Sequence, residues 1–384
     1  MERIIRYFKY LRELVLYFVL LPASLIYNKN REVYLVSERG TDARDNGYHF
    51  FKYLRRQHPE IEAYYVIDKN SPDYDKVARF GKTLQWKSMR HRFIFIGAKY
   101  KISTHIMGFS PNIDFYNKMN EVFPLVGKKI FLQHGISKDD LPQLYEEKTK
   151  LDMFVCGAKP EYDFIRSKFH YKNGEVKYTG LARYDALSNY STENQILIMP
   201  TWRMYFNNQT NEEIEQSVYV KAWNDILSNE RLIEKLKERN LTLFFYPHYE
   251  MQKHISLFKS SSDHVVIADF ASYDVQDLLK KSKLLITDYS SVFFDFAYMM
   301  KPCIYYQFDL KEFTEHHYGR GYFNYEKDGF GRVVSDSETL IEEIIKIINR
   351  NYELEERYRG NICRFFQKHD TNNCRRIFEE IREL

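Results

Sequence analysis

Cysteine is scarce in this 384-residue chain. Its four cysteines, Cys156, Cys303, Cys363 and Cys374, show neither CxxC spacing nor an ordered pairing. A disulfide framework and a cysteine-ligated zinc site are both unsupported, and a reduced, cytoplasmic compartment fits. Charge of one sign is also lacking: 57 Lys+Arg stand against 53 Asp+Glu, a formal net charge of +4. Such a balance carries no electrostatic footprint for nucleic acid. There is no internal repeat and no low-complexity tract. The apolar run at residues 14–26 contains Pro22 and is too short to cross a bilayer. Pro22-Ala23-Ser24 is a poor cleavage site, which argues against a signal peptide.

The length fits two domains of ordinary size, and an apolar fraction of 44% is enough for real cores. Aromatics are abundant, with 32 Tyr and 29 Phe. Tyrosine can pack its ring and keep its hydroxyl wet, so groove lining and interfaces are expected uses. Basic residues concentrate at 52–56 and 87–92, either as solvated faces or as contacts to an anionic membrane. Residues 1–12 interleave Arg3, Arg6, Lys9 and Arg12 with Ile4, Ile5, Tyr7, Phe8 and Tyr10. With the apolar run that follows, this predicts a basic amphipathic anchor over residues 1–27 lying in the cytoplasmic leaflet. The alternative is a first helix packed on the domain.

Beyond residue 27, strands and helices alternate. Strands are predicted at 33–37, 63–67, 100–103, 129–133, 153–156 and 176–179, then at 195–199, 241–246, 265–268, 284–287 and 303–306. Helical stretches separate them, among them 48–57, 93–98, 217–229 and 232–239. This order predicts an α/β fold of two Rossmann-like domains, each a parallel sheet with helices on both faces. The polar stretch 188–194 divides them into 28–190 and 191–384.

In open parallel sheets, ligands bind beyond the carboxyl ends of the strands. Residues 283–302, KLLITDYSSVFFDFAYMMKP, read as a strand, a polar turn and an apolar helix that starts at Ser290 and Ser291. Free N–H groups, the helix dipole and two hydroxyls there suit a phosphate, hence a nucleotide-diphosphate donor. The plainer role is that Ser290 or Asp288 caps the helix. His134 follows Phe131-Leu132-Gln133 and precedes Gly135, where a ligand can approach closely. His248 follows Phe244-Phe245-Tyr246-Pro247 at another strand end. Arg203, after Pro200-Thr201-Trp202, offers a planar fork to phosphate oxygens, or else a salt bridge to a nearby carboxylate. Each signal alone is weak, but His, Arg and Ser at several strand ends together point to a phosphate-handling site. Asp288 and Asp295 are candidates for Mg²⁺, against simpler roles as cap and helix-face contact. No tightly bound metal or cofactor is required.

One set of motifs carries a family resemblance: SERGTDARDNGYHFFKYL (37–54), LQHG (132–135), GLARYDAL (180–187), MPTWR (199–203), YPHY (246–249), ITDYSSVFFDF (286–296) and RGYFNYE (320–326). In that order they resemble the CDP-glycerol glycerophosphotransferases, which build teichoic acids and related phosphate-linked capsule polymers in bacteria. The likeness runs from about residue 33 to the C-terminus. It implies a two-domain architecture of the GT-B type with the active site in the interdomain cleft, and last helices that cross back onto the first half. It also implies CDP-glycerol as donor, a lipid-linked saccharide or polymer as acceptor, and peripheral attachment to the cytoplasmic face of the cell membrane. By matching motifs, His134 takes the place of the general base, with Gly135 beside it. His248, Ser290 and Ser291 take the donor phosphates, with Asp288, Arg203 and Arg320 near the same cleft. Two departures stand out: Leu181-Ala182-Arg183 replaces a Ser-Pro-Arg or Thr-Pro-Arg, and Phe245-Tyr246 stands where an Arg commonly precedes the Pro-His pair. They leave CDP-ribitol or a sugar nucleotide open as donor; a non-catalytic polymer-binding protein at the membrane surface is the remoter alternative. The absence of a large extra N-terminal domain favours a primase or a capsule enzyme. Association into a homo-oligomer stays open.

Overall fold

Two parallel sheets organise the chain. The computed structural model describes residues 2–123, 125–188, 190–316 and 321–384. They divide into two units. The first comprises Met1–Ile136, Pro142–Ala186 and Asp370–Leu384, and the second Ser137–Leu141 and Leu187–His369.

In the first unit the strands are β1 (Tyr34–Ser37), β2 (Ala63–Ile67), β3 (Lys82–Gln85), β4 (Tyr100–Ser103), β5 (Lys128–Phe131), β6 (Met153–Cys156) and β7 (Val176–Tyr178), in the spatial order β3-β2-β1-β4-β5-β6-β7. All neighbours are parallel. Every residue of β1, β2, β4 and β6 is buried, as expected of strands covered on both faces. The second unit holds β8 (Gln195–Ile198), β9 (Thr242–Phe245), β10 (Val265–Ile267), β11 (Leu284–Thr287), β12 (Cys303–Tyr306) and β13 (Gly331–Val334), ordered β10-β9-β8-β11-β12-β13 and again parallel. The expected pair of Rossmann-like α/β domains is therefore what the chain forms. In each sheet the order reverses beside the first strand, between β1 and β4 and between β8 and β11. Those reversals are the points where strand-end loops diverge and leave room for a ligand.

The edge strands β3 and β13 were not expected. β3 buries only Leu84, and β13 begins at a glycine and exposes Arg332, so neither carries an apolar run. The final helix, Asn373–Arg382, belongs to the first unit. Its start is held by Asp185, whose carboxylate accepts from the backbone N–H of Asn373 and of Cys374, both at 2.8 Å. Tyrosine also serves in the core: Tyr34, Tyr64, Tyr65, Tyr116, Tyr219 and Tyr305 are all fully buried. Arg320, expected near the donor, lies outside the described residues.

The N-terminal segment is one helix, Glu2–Asn28, that continues through Pro22. One face packs on the first unit. Tyr17 stacks edge-on against Phe115 and Tyr116, and Ser24 donates to the Phe93 carbonyl at 2.6 Å. Gly97 allows this close approach, since an added Cβ would stand 2.4 Å from Asn28 Nδ2. Glu13 and Arg92 form a buried pair with Arg92 Nε 3.0 Å from Glu13 Oε2, so the end of the basic run 87–92 faces the core and not a membrane. The opposite face leaves Phe8, Val15, Val19 and Ile26 exposed, Ile26 by 76%. Packed helix and apolar outer face thus coexist in one element. The stretch Tyr10–Asn28 is also long and apolar enough to cross a membrane by length and composition, which the shorter run counted in the sequence was not.

Removing one member of a buried ion pair strands the other. Arg92→Met is expected to cost the first unit about 3–5 kcal/mol. Glu13→Leu combined with Arg92→Met should recover most of it. Urea unfolding followed by circular dichroism compares the two variants; equal losses would contradict the pairing.

Candidate functional site

In the first unit the site is built at the carboxyl ends of β1, β4 and β5. Glu38, directly after β1, is buried and organises the loop that follows. Its Oε1 accepts from the amides of Asp45 (3.1 Å) and Tyr48 (2.8 Å), and its Oε2 from that of Arg44 (2.9 Å). Burial first, then the neighbouring Asp45 and Asp42, push its carboxyl up to about 8. Gly108 presses against this strand end, where a Cβ would fall 1.6 Å from the Glu38 carbonyl oxygen. The loop ends at Asp45, which caps the helix Asn46–Gln57.

Asn46 is completely buried and reaches two other motifs. Its Nδ2 donates to the Gln133 carbonyl at 2.7 Å, and its Oδ1 accepts from the Arg183 amide at 2.9 Å. Arg183 in turn donates through Nη1 to the His134 carbonyl at 2.8 Å and to Asp45 Oδ1 at 2.7 Å. Gln133 adopts a left-handed φ of 57°, and its side chain donates to the Val155 carbonyl and to the buried Glu161. The motifs at 37–54, 132–135 and 180–187 therefore converge on the backbone of His134. Its side chain is exposed beyond β5, with Gly135 buried next to it. The His134 ring stacks on His105, 5.0 Å between centroids and 22° between planes.

In the second unit the ends of β8, β9, β11 and β12 stand side by side. Arg203 is buried at their centre. Nε and Nη2 bind the two oxygens of Asp309 at 2.7 and 3.0 Å, and Nη1 lies 2.9 Å from Asp288 Oδ2. The rings of Tyr219, Tyr289 and Phe313 surround its guanidinium within 4.8 to 5.2 Å. The fork expected to meet phosphate is thus engaged by two carboxylates, the plainer alternative. Asp288 is likewise internal, accepting from the amides of Thr201 (2.8 Å) and Tyr289 (2.6 Å). Asp295 is buried on the helix Val292–Tyr298, and among the described residues no three His, Cys, Asp or Glu converge as a metal-ligand group.

Around this charged centre lie partly exposed groups: Thr201, Trp202, His248, Ser290 and Ser291. Thr201 Oγ1 is buried with no hydrogen-bond partner among the described residues. His248 Nδ1 accepts from the Glu250 amide at 3.3 Å, which places the proton of a neutral ring on Nε2. Its ring lies parallel to Trp202, 6.0 Å away. Ser290 Oγ accepts weakly from the Val292 amide at 3.4 Å, whereas Ser291 makes no side-chain cap. Asn46, Arg183 and Thr201 lie within motifs the sequence pointed to but were given no role of their own there, and His105 was not singled out. His105 carried the available signal, a histidine just past the strand Tyr100–Ser103.

Residues 18–383 match the family model described as CDP-glycerol:poly(glycerophosphate) glycerophosphotransferase. The chain is 35% identical over 372 residues to the minor teichoic acid biosynthesis protein GgaB of Bacillus subtilis (strain 168), covering 94% of this chain and 40% of GgaB. It is 31% identical over 223 residues to a teichoic acid glycerol-phosphate primase of the same strain, covering 54% of this chain and 52% of the primase. The chain thus spans about half the length of these curated relatives. Its fold is similar to that of the wall teichoic acid polymerase TagF, with a TM-score of 0.71 at 16% identity over 100% of this chain and 97% of that one.

The clamp around the turn at Gln133 can be tested alone. Asn46→Ala leaves a buried carbonyl and a buried amide without their partner, at about 1–3 kcal/mol. Amides of residues 133–136 are expected to exchange with deuterium roughly ten- to hundredfold faster, with the second unit unchanged. Unaltered exchange would show that the turn holds itself.

Proposed function

The chain belongs to the CDP-glycerol:poly(glycerophosphate) glycerophosphotransferase family, and from that premise we propose that it transfers glycerol phosphate from CDP-glycerol to a hydroxyl of a lipid-linked saccharide or polymer in teichoic acid or capsule synthesis. The acceptor oxygen attacks the phosphorus that bears glycerol, the bond to the CMP oxygen breaks, and CMP leaves. His134 takes the acceptor proton. The observation that carries this reading is the exposed His134 on a turn held from both sides by Asn46 and Arg183. A base must be held still to act, and a loop histidine with a merely structural role would not need this clamp.

The donor lies over the reversal between β8 and β11 in this reading. Thr201 Oγ1, His248 Nε2 and the hydroxyls of Ser290 and Ser291 donate to its phosphates and take up charge as CMP departs. Arg203 and Asp288 act one step back, by fixing the Thr201 amide and the turn before Ser290. No metal ion is needed in this scheme.

The acceptor is bound to lipid, and the outer face of Glu2–Asn28 supplies the contact with the cytoplasmic membrane surface. Its exposed Phe8, Val15 and Val19 support that assignment.

Purified protein with a lipid-linked disaccharide analogue is expected to release CMP from CDP-glycerol only when acceptor is present. Equal or faster release from CDP-ribitol would reassign the donor, and silence with every nucleotide donor would favour the non-catalytic alternative. His134→Ala should lower acceptor-dependent release at least about a hundredfold; unchanged turnover would remove the base. Val19→Glu should weaken co-sedimentation with anionic vesicles by about tenfold, and unchanged binding would move the contact elsewhere.

A further inference from the structure

We propose that Arg39 and His105 are positioning residues for His134: they fix the plane of its ring and hold it unprotonated. The proposal rests on the assignment of His134 as base and adds what keeps that base in its working form.

The geometry comes from three neighbouring strand ends. β4 and β5 are adjacent and parallel, with Ser103 opposite Phe131, so the residues just beyond them face one another. His105 lies flat against His134 at 5.0 Å. His105 is itself tightly held. Its carbonyl accepts from Ser103 Oγ at 2.8 Å and from the Gly108 amide at 3.0 Å, and its amide donates to Ser103 Oγ at 3.2 Å.

Both ring nitrogens of His105 are engaged. Arg39 Nε lies 3.3 Å from Nε2, and Thr104 Oγ1 lies 2.8 Å from Nδ1. A guanidinium only donates, so Nε2 accepts and the single proton of the neutral ring sits on Nδ1, pointing at Thr104. Protonating Nε2 would set one N–H against another. Burial first, then the proximity of His134 and Arg39, push the His105 imidazole down to about 2. His105 is therefore a neutral plate against one face of His134, with the Arg39 cation hydrogen-bonded at its ring edge.

Asp42 offsets part of the Arg39 charge, and the other charged groups of these loops are bound elsewhere. Asp42 lies 3.6 Å from Arg39 Nη1, and Asp45 is bound to Arg183 at 2.7 Å. Glu38 faces the amides of Arg44, Asp45 and Tyr48. Arg183 adds a second cation at the His134 carbonyl. An imidazolium on His134 would lie against the ring whose edge Arg39 binds, and like-charge repulsion there disfavours the added proton.

The test is the pH dependence of kcat/KM for acceptor-dependent CMP release by the full chain. Arg39 has a side chain 45% exposed, so its replacement leaves the fold intact. Arg39→Gln keeps a donor and removes the charge; the acidic limb is expected to move up by roughly half to one pH unit. Arg39→Lys should leave the limb at the wild-type position. His105→Leu should lower kcat about tenfold at unchanged donor KM, and His105→Phe, which restores a stacked ring, should recover most of that loss. An unmoved limb in Arg39→Gln, or equal kcat in the leucine and phenylalanine variants, overturns the proposal. His134→Ala run in parallel separates the two levels. If it is inactive while the limb stays fixed in Arg39→Gln, only the positioning role falls. If it turns over normally, the base assignment falls and the proposal with it.

Discussion

The placement of one histidine depends on a buried amide. Asn46 has no exposed surface and spends neither of its polar atoms on its own helix; it joins the Gln133 carbonyl to the Arg183 amide. Without that link, Gln133 would lose one support of a left-handed backbone, which costs a non-glycine residue about 1–2 kcal/mol. The side chain of Gln133 offsets part of this through its bonds to Val155 and Glu161. Everything proposed for His134, from proton removal to its stack on His105, presupposes this turn. The loop preceding Asn46 is fixed in turn by Glu38, so the chain of cause runs from a buried carboxyl through a buried amide to an exposed imidazole.

The second unit solves the same problem with charge in place of amides. Arg203 between Asp288 and Asp309 is too deeply buried to serve a ligand directly. Removing Arg203 would leave two buried carboxylates uncompensated, which makes the cluster demanding but geometrically strict. What it fixes is backbone: the amides of Thr201 and Tyr289 on one carboxylate, at the point where the sheet order reverses. The partly exposed Thr201, His248, Ser290 and Ser291 then stand on a rigid floor. The same sheet order and helix packing support different chemistries in other proteins, so it is these side chains, more than the fold, that bear on the reaction.

Much of this was legible in the sequence because it rests on local pattern. The central strands β1, β2, β4, β6, β11 and β12 are apolar runs, and His134, His248 and Ser290-Ser291 follow directly from strand ends. β3 and β13 were not, because an edge strand buries one face at most and leaves no run to detect. Arg203 was misdirected for a related reason. Its two carboxylate partners lie far along the chain, and a lone arginine after a strand looks the same whether it meets phosphate or aspartate. Asn46 and Arg183 are invisible to any local rule, since each gains its role only when three distant motifs fold together. The N-terminal helix was read as a membrane anchor or as a helix packed on the domain; burial of Glu13, Tyr17 and Ser24 shows the packing, and exposure of Val15 and Val19 leaves an apolar outer face beside it.

The central claim is a division of labour, with donor held by the second unit and the base supplied by the first. Titration of CDP-glycerol into the wild-type chain, the His134→Ala variant and a Ser290→Ala, Ser291→Ala double variant tests it most directly. The account predicts wild-type donor affinity in His134→Ala and a clear loss in the double serine variant. Loss of donor binding in His134→Ala, with the serine variant unaffected, would contradict it.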